Sequence, residues 1–454
     1  MTSAREVAAK VMTRVEKDRA FAAAALEAEL SRAVQLDGRD RAFATELVYG
    51  SLRVAQFLEK EIARHAPRGT AKLDAHVRAH LVIGAYQLLF TRVPAFAAVS
   101  AAVDSVRSVR GDRLAAFTNA VLRKIAARAG QLDETERADA VFASTPDWLR
   151  EALARTLSAE GAAAFLRCSI DPPPIALRVR RPPERQEWID RLRASVPEGR
   201  FDAGAVSPLA IVVRGAGKPQ SLPGFAEGAL SVQEEGSQLA ALALGAAAGD
   251  SILDACAGRG NKTAILAEAV GPSGAVDACD AIAAKLGRLR EDLARLGLGV
   301  RNTFAVDWSA GSGEVTAEYD KVLVDAPCSG VGTLRRRPEI GLRRDPADLS
   351  QMTALQIAIT RRAACHVRPG GTLVYVVCSL LREEGEDVVA GLREAHADFS
   401  PAPFECAAAR AVAGESPTMR LMPHVHGTDG YFVARLVRAP LGHRIAVSDP
   451  VAIR

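Results

Sequence analysis

A chain of 454 residues, 48% of them hydrophobic, is long enough for two or three domains with proper cores, and a net charge of +4 is too small to identify a nucleic-acid binder by itself. No window approaches a bilayer-spanning apolar run, and the charged amphipathic start MTSAREVAAKVMTRVEKDRA is unlike a signal peptide, which predicts a cytoplasmic protein with no membrane contact. Seven cysteines, an odd number without CxxC or Cys/His ligand spacing, argue against a disulfide framework or a metal site and for a reducing compartment where thiols stay reactive.

The first part reads as helices. Val7, Val11 and Val15 recur every fourth residue, and RDRAFATELVYGSLR, LDAHVRAHLVIGAYQLLF, AAVSAAVDSVRSVR and LAAFTNAVLRKIAARAG continue with apolar positions three and four apart. This predicts an all-helical bundle over residues 1–131, ending near Gly130. Residues 132–228 change to linker helices and then mixed elements. The run DPPPIALRVRRPPERQEWIDRLRAS has a proline-stiffened start, a short alternating strand and a helix opening after Pro183, which predicts a small α+β subdomain.

Residues 229–438 carry the pattern of a doubly wound α/β, Rossmann-like sheet. SILDACAGRGNKTAILAEAV is a buried strand, a glycine-containing loop and a helix. The loop residues Cys256, Ala257, Gly258, Arg259, Gly260, Asn261 and Lys262 leave backbone N–H groups open to a ligand, read here as the methionine end of S-adenosylmethionine. A tight turn made only for packing is the competing reading. AVDACD predicts the second strand, whose terminal acid can accept ribose hydroxyls; Asp280 and its neighbour Asp277 are rivals for that role. NTFAVDWS closes a third strand at Asp307, and VLVDAPCSG forms a fourth that carries Asp325 to the same carboxyl edge. Any one of these acids could be an exposed loop carboxylate. Four strand ends in the correct order favour a cofactor site.

Two cysteines stand in polar turns after hydrophobic runs: Cys328 in VLVDAPCSGVG and Cys378 in LVYVVCSLLREEGEDVV. Singly, each reads as an ordinary buried thiol, since free Cys packs as a small hydrophobe. As a pair they suit chemistry on a pyrimidine. Cytosine C5 is a poor nucleophile until a thiolate adds across the C5–C6 bond, and an acid must then protonate or hydrogen-bond N3. Asp325, three residues before Cys328, is spaced for that role. Arg335, Arg336, Arg337, Arg343 and Arg344 follow and are expected to hold phosphates beside the site, the alternative being a solvated loop face.

DAPCSGVGTLRRRPEI with RRDPADL, then RPGGTLVYVVCSLLREEGEDVV, resemble motifs IV and VI of the RNA cytosine-C5 methyltransferases of the NOL1/NOP2/Sun family. The resemblance runs nearly end to end. It implies that Cys378 is the nucleophile bonding to C6, that Cys328 assists breakdown of the adduct, and that Lys262 lies near the target base. It also selects Asp280 over Asp277 as the ribose acid and gives Asp307 the adenine amino group. GAYQLLF, RVPAFAAVSAAVDSVR and FTNAVLRKI resemble a NusB-type RNA-binding domain, which implies docking on RNA. HGTDGYFVARL resembles the family's last conserved strand, with Asp429 expected to be structural.

Three positions depart from the family pattern. Arg259 and Asn261 replace a proline and a glycine of CAAPGGKT, and Val377 replaces the Thr or Ser before Cys378. Strain is expected at Asn261 if that position needs positive φ. At Arg180 the family often has Asn, and no specific contact is assigned there.

The expected architecture is therefore multidomain: an all-α NusB-like bundle, a small α+β subdomain and a C-terminal Rossmann-like class I S-adenosylmethionine methyltransferase. The expected activity is C5 methylation of a cytosine in 16S ribosomal RNA, naked or in an immature small subunit, by a monomer. The alternatives are a non-catalytic ribosome-assembly factor that binds RNA, or the same chemistry on tRNA or 23S rRNA. The tail from Ala439 to Arg454 lacks periodicity.

Overall fold

The computed structural model of the protein describes residues 3–66 and 73–441, so most of the tail, from residue 442 onward, lies outside the described residues. The chain forms two compact units. One comprises residues up to Pro172 together with Thr333–Asp345; the other comprises Pro173–Gly332 and the chain from Pro346 onward.

The first unit is helical. Its helices are Ala4–Lys17, Ala22–Arg32, Gly38–Arg53, Ala55–His65, Ala75–Phe90, Ala95–Arg110, Asp112–Ala126, Glu134–Ser144 and Asp147–Arg167. Ser3 and Glu6 form a reciprocal capping box that starts the first helix, and Val7, Val11 and Val15 all point into the core, as their spacing predicts. Ala75–Phe90 is buried on nearly every side, so it is the central helix around which the others pack. The core continues past Gly130 to Ala140 and Val141 on Glu134–Ser144.

Thr333–Asp345, although distant in sequence, packs inside this helical unit. The helix Ala22–Arg32 begins at Phe21, which offers no capping oxygen; the buried Glu339 carboxylate accepts from the Ala22 N–H at 3.2 Å instead. Arg53 donates to the Arg335 carbonyl at 3.1 Å, Arg335 donates to the Asp171 carbonyl at 3.0 Å, and the Arg343 guanidinium lies 3.8 Å above the Phe21 ring. Arg335 and Arg343 are thus engaged within the helical unit.

The second unit contains two sheets. The smaller is antiparallel, order β2-β3-β1-β4, from β1 (Ile175–Val179), β2 (Arg200–Ala203), β3 (Ala210–Arg214) and β4 (Leu230–Val232), with the helix Arg185–Ser195 opening after Pro183 as predicted. Leu230–Val232, which the expected boundary at residue 229 assigns to the large-sheet domain, is thus the fourth strand of the small sheet, pairing Leu230 with Val179. Arg180, just beyond β1, forms a two-pronged ion pair with Glu268 at 3.0 and 3.2 Å, tying the small sheet to the helix Asn261–Val270.

The larger sheet contains β5 (Ser251–Asp254), β6 (Ala275–Asp280), β7 (Asn302–Ala305), β8 (Tyr319–Asp325), β9 (Val367–Val377), β10 (Phe399–Pro401), β11 (Thr418–Leu421) and β12 (Tyr431–Arg438). Its order is β10-β12-β9-β8-β5-β6-β7, with β11 also pairing β12. The five strands β5 to β9 are parallel, and β12 runs antiparallel to β9. Strand order reverses at β5, which has β6 on one side and β8 on the other. In open parallel sheets the crevice at that reversal, outside the carboxyl ends, is where ligands bind. Val377 is fully buried in the core at the end of β9, which explains an aliphatic residue where a hydroxyl is usual.

Candidate active site

The sequence-predicted site residues of the second unit lie in loops, at strand ends or on the first turn of a helix at that carboxyl edge. After β5 the chain turns through Cys256–Gly260 into the helix Asn261–Val270. The turn needs positive φ at Gly258 (+58°) and Gly260 (+85°), and a Cβ on Gly260 would sit 2.7 Å from Leu289 Cγ. Asn261 is not among the positive-φ residues, so the expected strain is absent: the demanding positions are the two glycines this chain retains. Arg259 and Asn261 are exposed.

Asp280, at the end of β6, accepts from the Gly258 N–H at 3.1 Å, the Ile282 N–H at 2.8 Å and Lys285 Nζ at 3.2 Å. It is thereby oriented beside the glycine turn. Its rival Asp277 is buried and committed to Arg301 (2.6 and 3.0 Å), Asn302 and the Tyr319 hydroxyl, which hold its pKa below the usual range even though burial pushes the other way. Asp307 lies two residues beyond β7, exposed, with its carboxylate capping Ser309.

Two buried carboxylates were missed by the sequence reading. Asp254, the last residue of β5, is fully buried and accepts from Thr263 Oγ1 at 2.7 Å, while its other oxygen has no partner. Burial pushes its pKa up to about 7, with the Asp325 charge adding to the rise. A fully apolar strand end was the only sequence signal it broke. The second is Glu384, described below.

Lys262, on the first turn of Asn261–Val270, is buried and places Nζ 2.6 Å from Asp325 Oδ2. Burial alone would lower its pKa, but the Asp325 charge, the hydrogen bond to it, and the nearby Cys378 and Asp254 outweigh that, and the net shift is upward. The ammonium also lies 5.8 Å from the centre of the Tyr431 ring. The thiols of Cys328 and Cys378 are 3.1 Å apart, closing the far side of the same edge. Hydrogen bonding to Cys378 first, then burial and the charges of Cys378, Glu384 and Asp325, push the Cys328 thiol well up. Cys256 is pushed well up by burial and the surrounding acids. Asp429 is buried, and its N–H donates to Glu234 at 2.9 Å.

The site fits S-adenosylmethionine on three counts. A glycine turn has open space at Gly258, where nothing lies within 4 Å of an added Cβ; Asp254 offers a buried unpartnered oxygen; and Asp280 is oriented at the end of the second strand. Fold and site together define an S-adenosylmethionine-dependent methyltransferase of the Rossmann-like class, joined to a NusB-like helical domain. Residues 241–437 match the family model for 16S rRNA methyltransferase RsmB/F, and residues 2–127 match the NusB family. The chain is 31% identical to the probable ribosomal RNA small subunit methyltransferase B of Bacillus subtilis, covering 96% of this chain and 98% of that one. It is 34% identical to ribosomal RNA small subunit methyltransferase B of Pseudomonas syringae pv. tomato, covering 96% of each. Among solved structures, that of PH0851 shares the fold with a TM-score of 0.77 at 24% identity, covering 95% of this chain and 98% of that one. The chain belongs to the 16S rRNA methyltransferase RsmB/F family.

Proposed function

We propose that the protein methylates C5 of a cytosine in 16S ribosomal RNA through a covalent bond between Cys378 and C6. The observation that carries this reading is the placement of two thiols 3.1 Å apart on the sheet edge that also holds the Lys262–Asp325 pair. The target base is taken out of its stack, because C6 cannot be attacked within a helix. Cys378, at the end of β9, adds to C6 as the thiolate, and the C5–C6 π electrons move toward N3. The Lys262 ammonium gives up a proton that Asp325 relays to N3, which stabilises the charge that develops there. Bound S-adenosylmethionine supplies the methyl group that C5 takes up.

Capture of Cys378 as a thioether removes the hydrogen bond and the charge that hold the Cys328 proton. Cys328 can then lose that proton to solvent, accept the one leaving C5, and so drive cleavage of the C6–sulfur bond as the N3 proton returns through Asp325 to Lys262. Cofactor contacts are assigned to the turn Cys256–Lys262, Asp280, Asp307 and Asp325, and RNA docking to the NusB-like helices of residues 1–131. All seven cysteines are free thiols, in keeping with a reducing cytoplasm. The test is incubation with 16S RNA, as transcript and in immature subunits, and methyl-labelled S-adenosylmethionine, followed by nucleoside analysis. A labelled 5-methylcytidine peak is expected; label in another nucleoside would overturn the reading.

A further inference from the structure

Six residues after Cys378, Glu384 is fully buried in the short turn Arg382–Glu384. One carboxylate oxygen accepts from the Ser329 N–H at 2.7 Å and from Gln356 Nε2 at 3.0 Å; the other accepts from the Ser329 hydroxyl. Gln356, also fully buried, uses the same amide nitrogen to donate to the Pro327 carbonyl at 2.9 Å, leaving its own oxygen without a partner. The backbone carbonyl of Glu384 accepts from the buried Tyr375 hydroxyl at 2.7 Å, anchoring the turn to β9. Pro327 and Ser329 are the two neighbours of Cys328. Among the described residues the donors to this carboxylate are Ser329 and Gln356, so its burial is offset by groups that serve the Cys328 turn.

We infer that Glu384 is a positioning residue for the release step: through Ser329 directly, and through Gln356 at Pro327, it clamps both neighbours of Cys328 onto the loop that carries Cys378. This rests on the proposed roles of the two thiols. Addition at C6 needs Cys378, which sits directly on the end of β9. Proton removal from C5 needs Cys328 at one distance from the bound ring, and a loop loosened by about 1 Å costs on the order of 100-fold in such a step. The negative charge of Glu384 also helps keep the Cys328 proton in place until Cys378 has reacted.

The experiment follows the full-length Glu384→Gln variant beside Cys328→Ala and the unaltered protein, with 16S transcript and S-adenosylmethionine. Denaturing gels measure covalent protein–RNA adduct, and methyl incorporation measures turnover. Glu384→Gln is expected to lower kcat about 100-fold with KM for RNA little changed, and to accumulate adduct as Cys328→Ala does. Wild-type turnover, or reduced turnover without adduct, would overturn the inference while leaving the thiol roles intact, provided Cys328→Ala still traps. Absence of adduct in Cys328→Ala would instead remove the reading beneath it. If Glu384→Gln does not fold, Gln356→Met, which keeps the buried volume and loses both donor contacts, is expected to give the same adduct. Failure of both to fold would make Glu384 structural only and overturn the inference.

Discussion

Lys262 and Asp325 meet at 2.6 Å, one from the first turn of the helix after β5 and the other from the last residue of β8, the two strands that flank the point where the sheet order reverses. A buried ammonium and carboxylate so placed act as one unit. Lys262→Met and Asp325→Asn should each lower methylation by about 100-fold or more, and the double variant should lose little beyond either single one. Cofactor affinity measured by calorimetry should change far less. Additive losses would show that the two groups act separately.

Asp254 gives a pH dependence of stability with a definite sign. Its folded pKa, raised to about 7, lies above the unfolded value, so the folded protein binds the extra proton between roughly pH 4 and 7. Its contribution to stability is full below that window and is lost as pH rises through it, by up to about 1.4 kcal/mol per pH unit. Asp254→Asn should therefore flatten the decline in Tm of the cofactor-free protein between pH 5 and 8. An unchanged slope would contradict the assignment.

The glycine turn separates two kinds of substitution. Gly260→Ala meets both a φ of +85° and the Leu289 side chain, and should cost about 1–3 kcal/mol of stability together with most cofactor affinity. Asn261→Gly, which restores the usual family residue, should change stability by no more than about 0.5 kcal/mol, because the exposed position requires no positive φ. Thermal melts and S-adenosylmethionine titrations check both.

Glu339→Ala should destabilise the protein by about 1–3 kcal/mol, since it leaves the Ala22 N–H at a helix start without its acceptor. Burial raises the Glu339 pKa, yet the hydrogen bond can be made by the neutral acid or by an amide, so Glu339→Gln should cost less. Equal melting curves for all three proteins would contradict the capping role.

What the sequence disclosed follows from local physics. The run AVDACD is β6, Ala275–Asp280, to the residue: its small apolar residues are those of a buried parallel strand, it ends where Asp280 faces the crevice, and Asp277 inside it is paired with Arg301. The two cysteines were legible for the same reason, each standing just beyond a hydrophobic run. Glu384 and Gln356 were not. REEGED reads as a solvated charge run, and only the fold turns one of its glutamates inward onto Ser329, far away in sequence. The segment 335–344 was legible only as a run of charge: Glu339 and Arg335 also meet Ala22, Arg53 and Asp171 in the helical unit, partners no local pattern reveals. β4 belongs to the small sheet only through its pairing with β1, which no local pattern reveals.

The central claim is that the two thiols have opposite roles, and one gel measures it. Cys328→Ala and Cys378→Ala are each mixed with 16S RNA and S-adenosylmethionine, then denatured. A protein–RNA band that survives denaturation in Cys328→Ala and is absent in Cys378→Ala is the predicted result. The band in Cys378→Ala, or in neither variant while both bind RNA reversibly, would contradict the account.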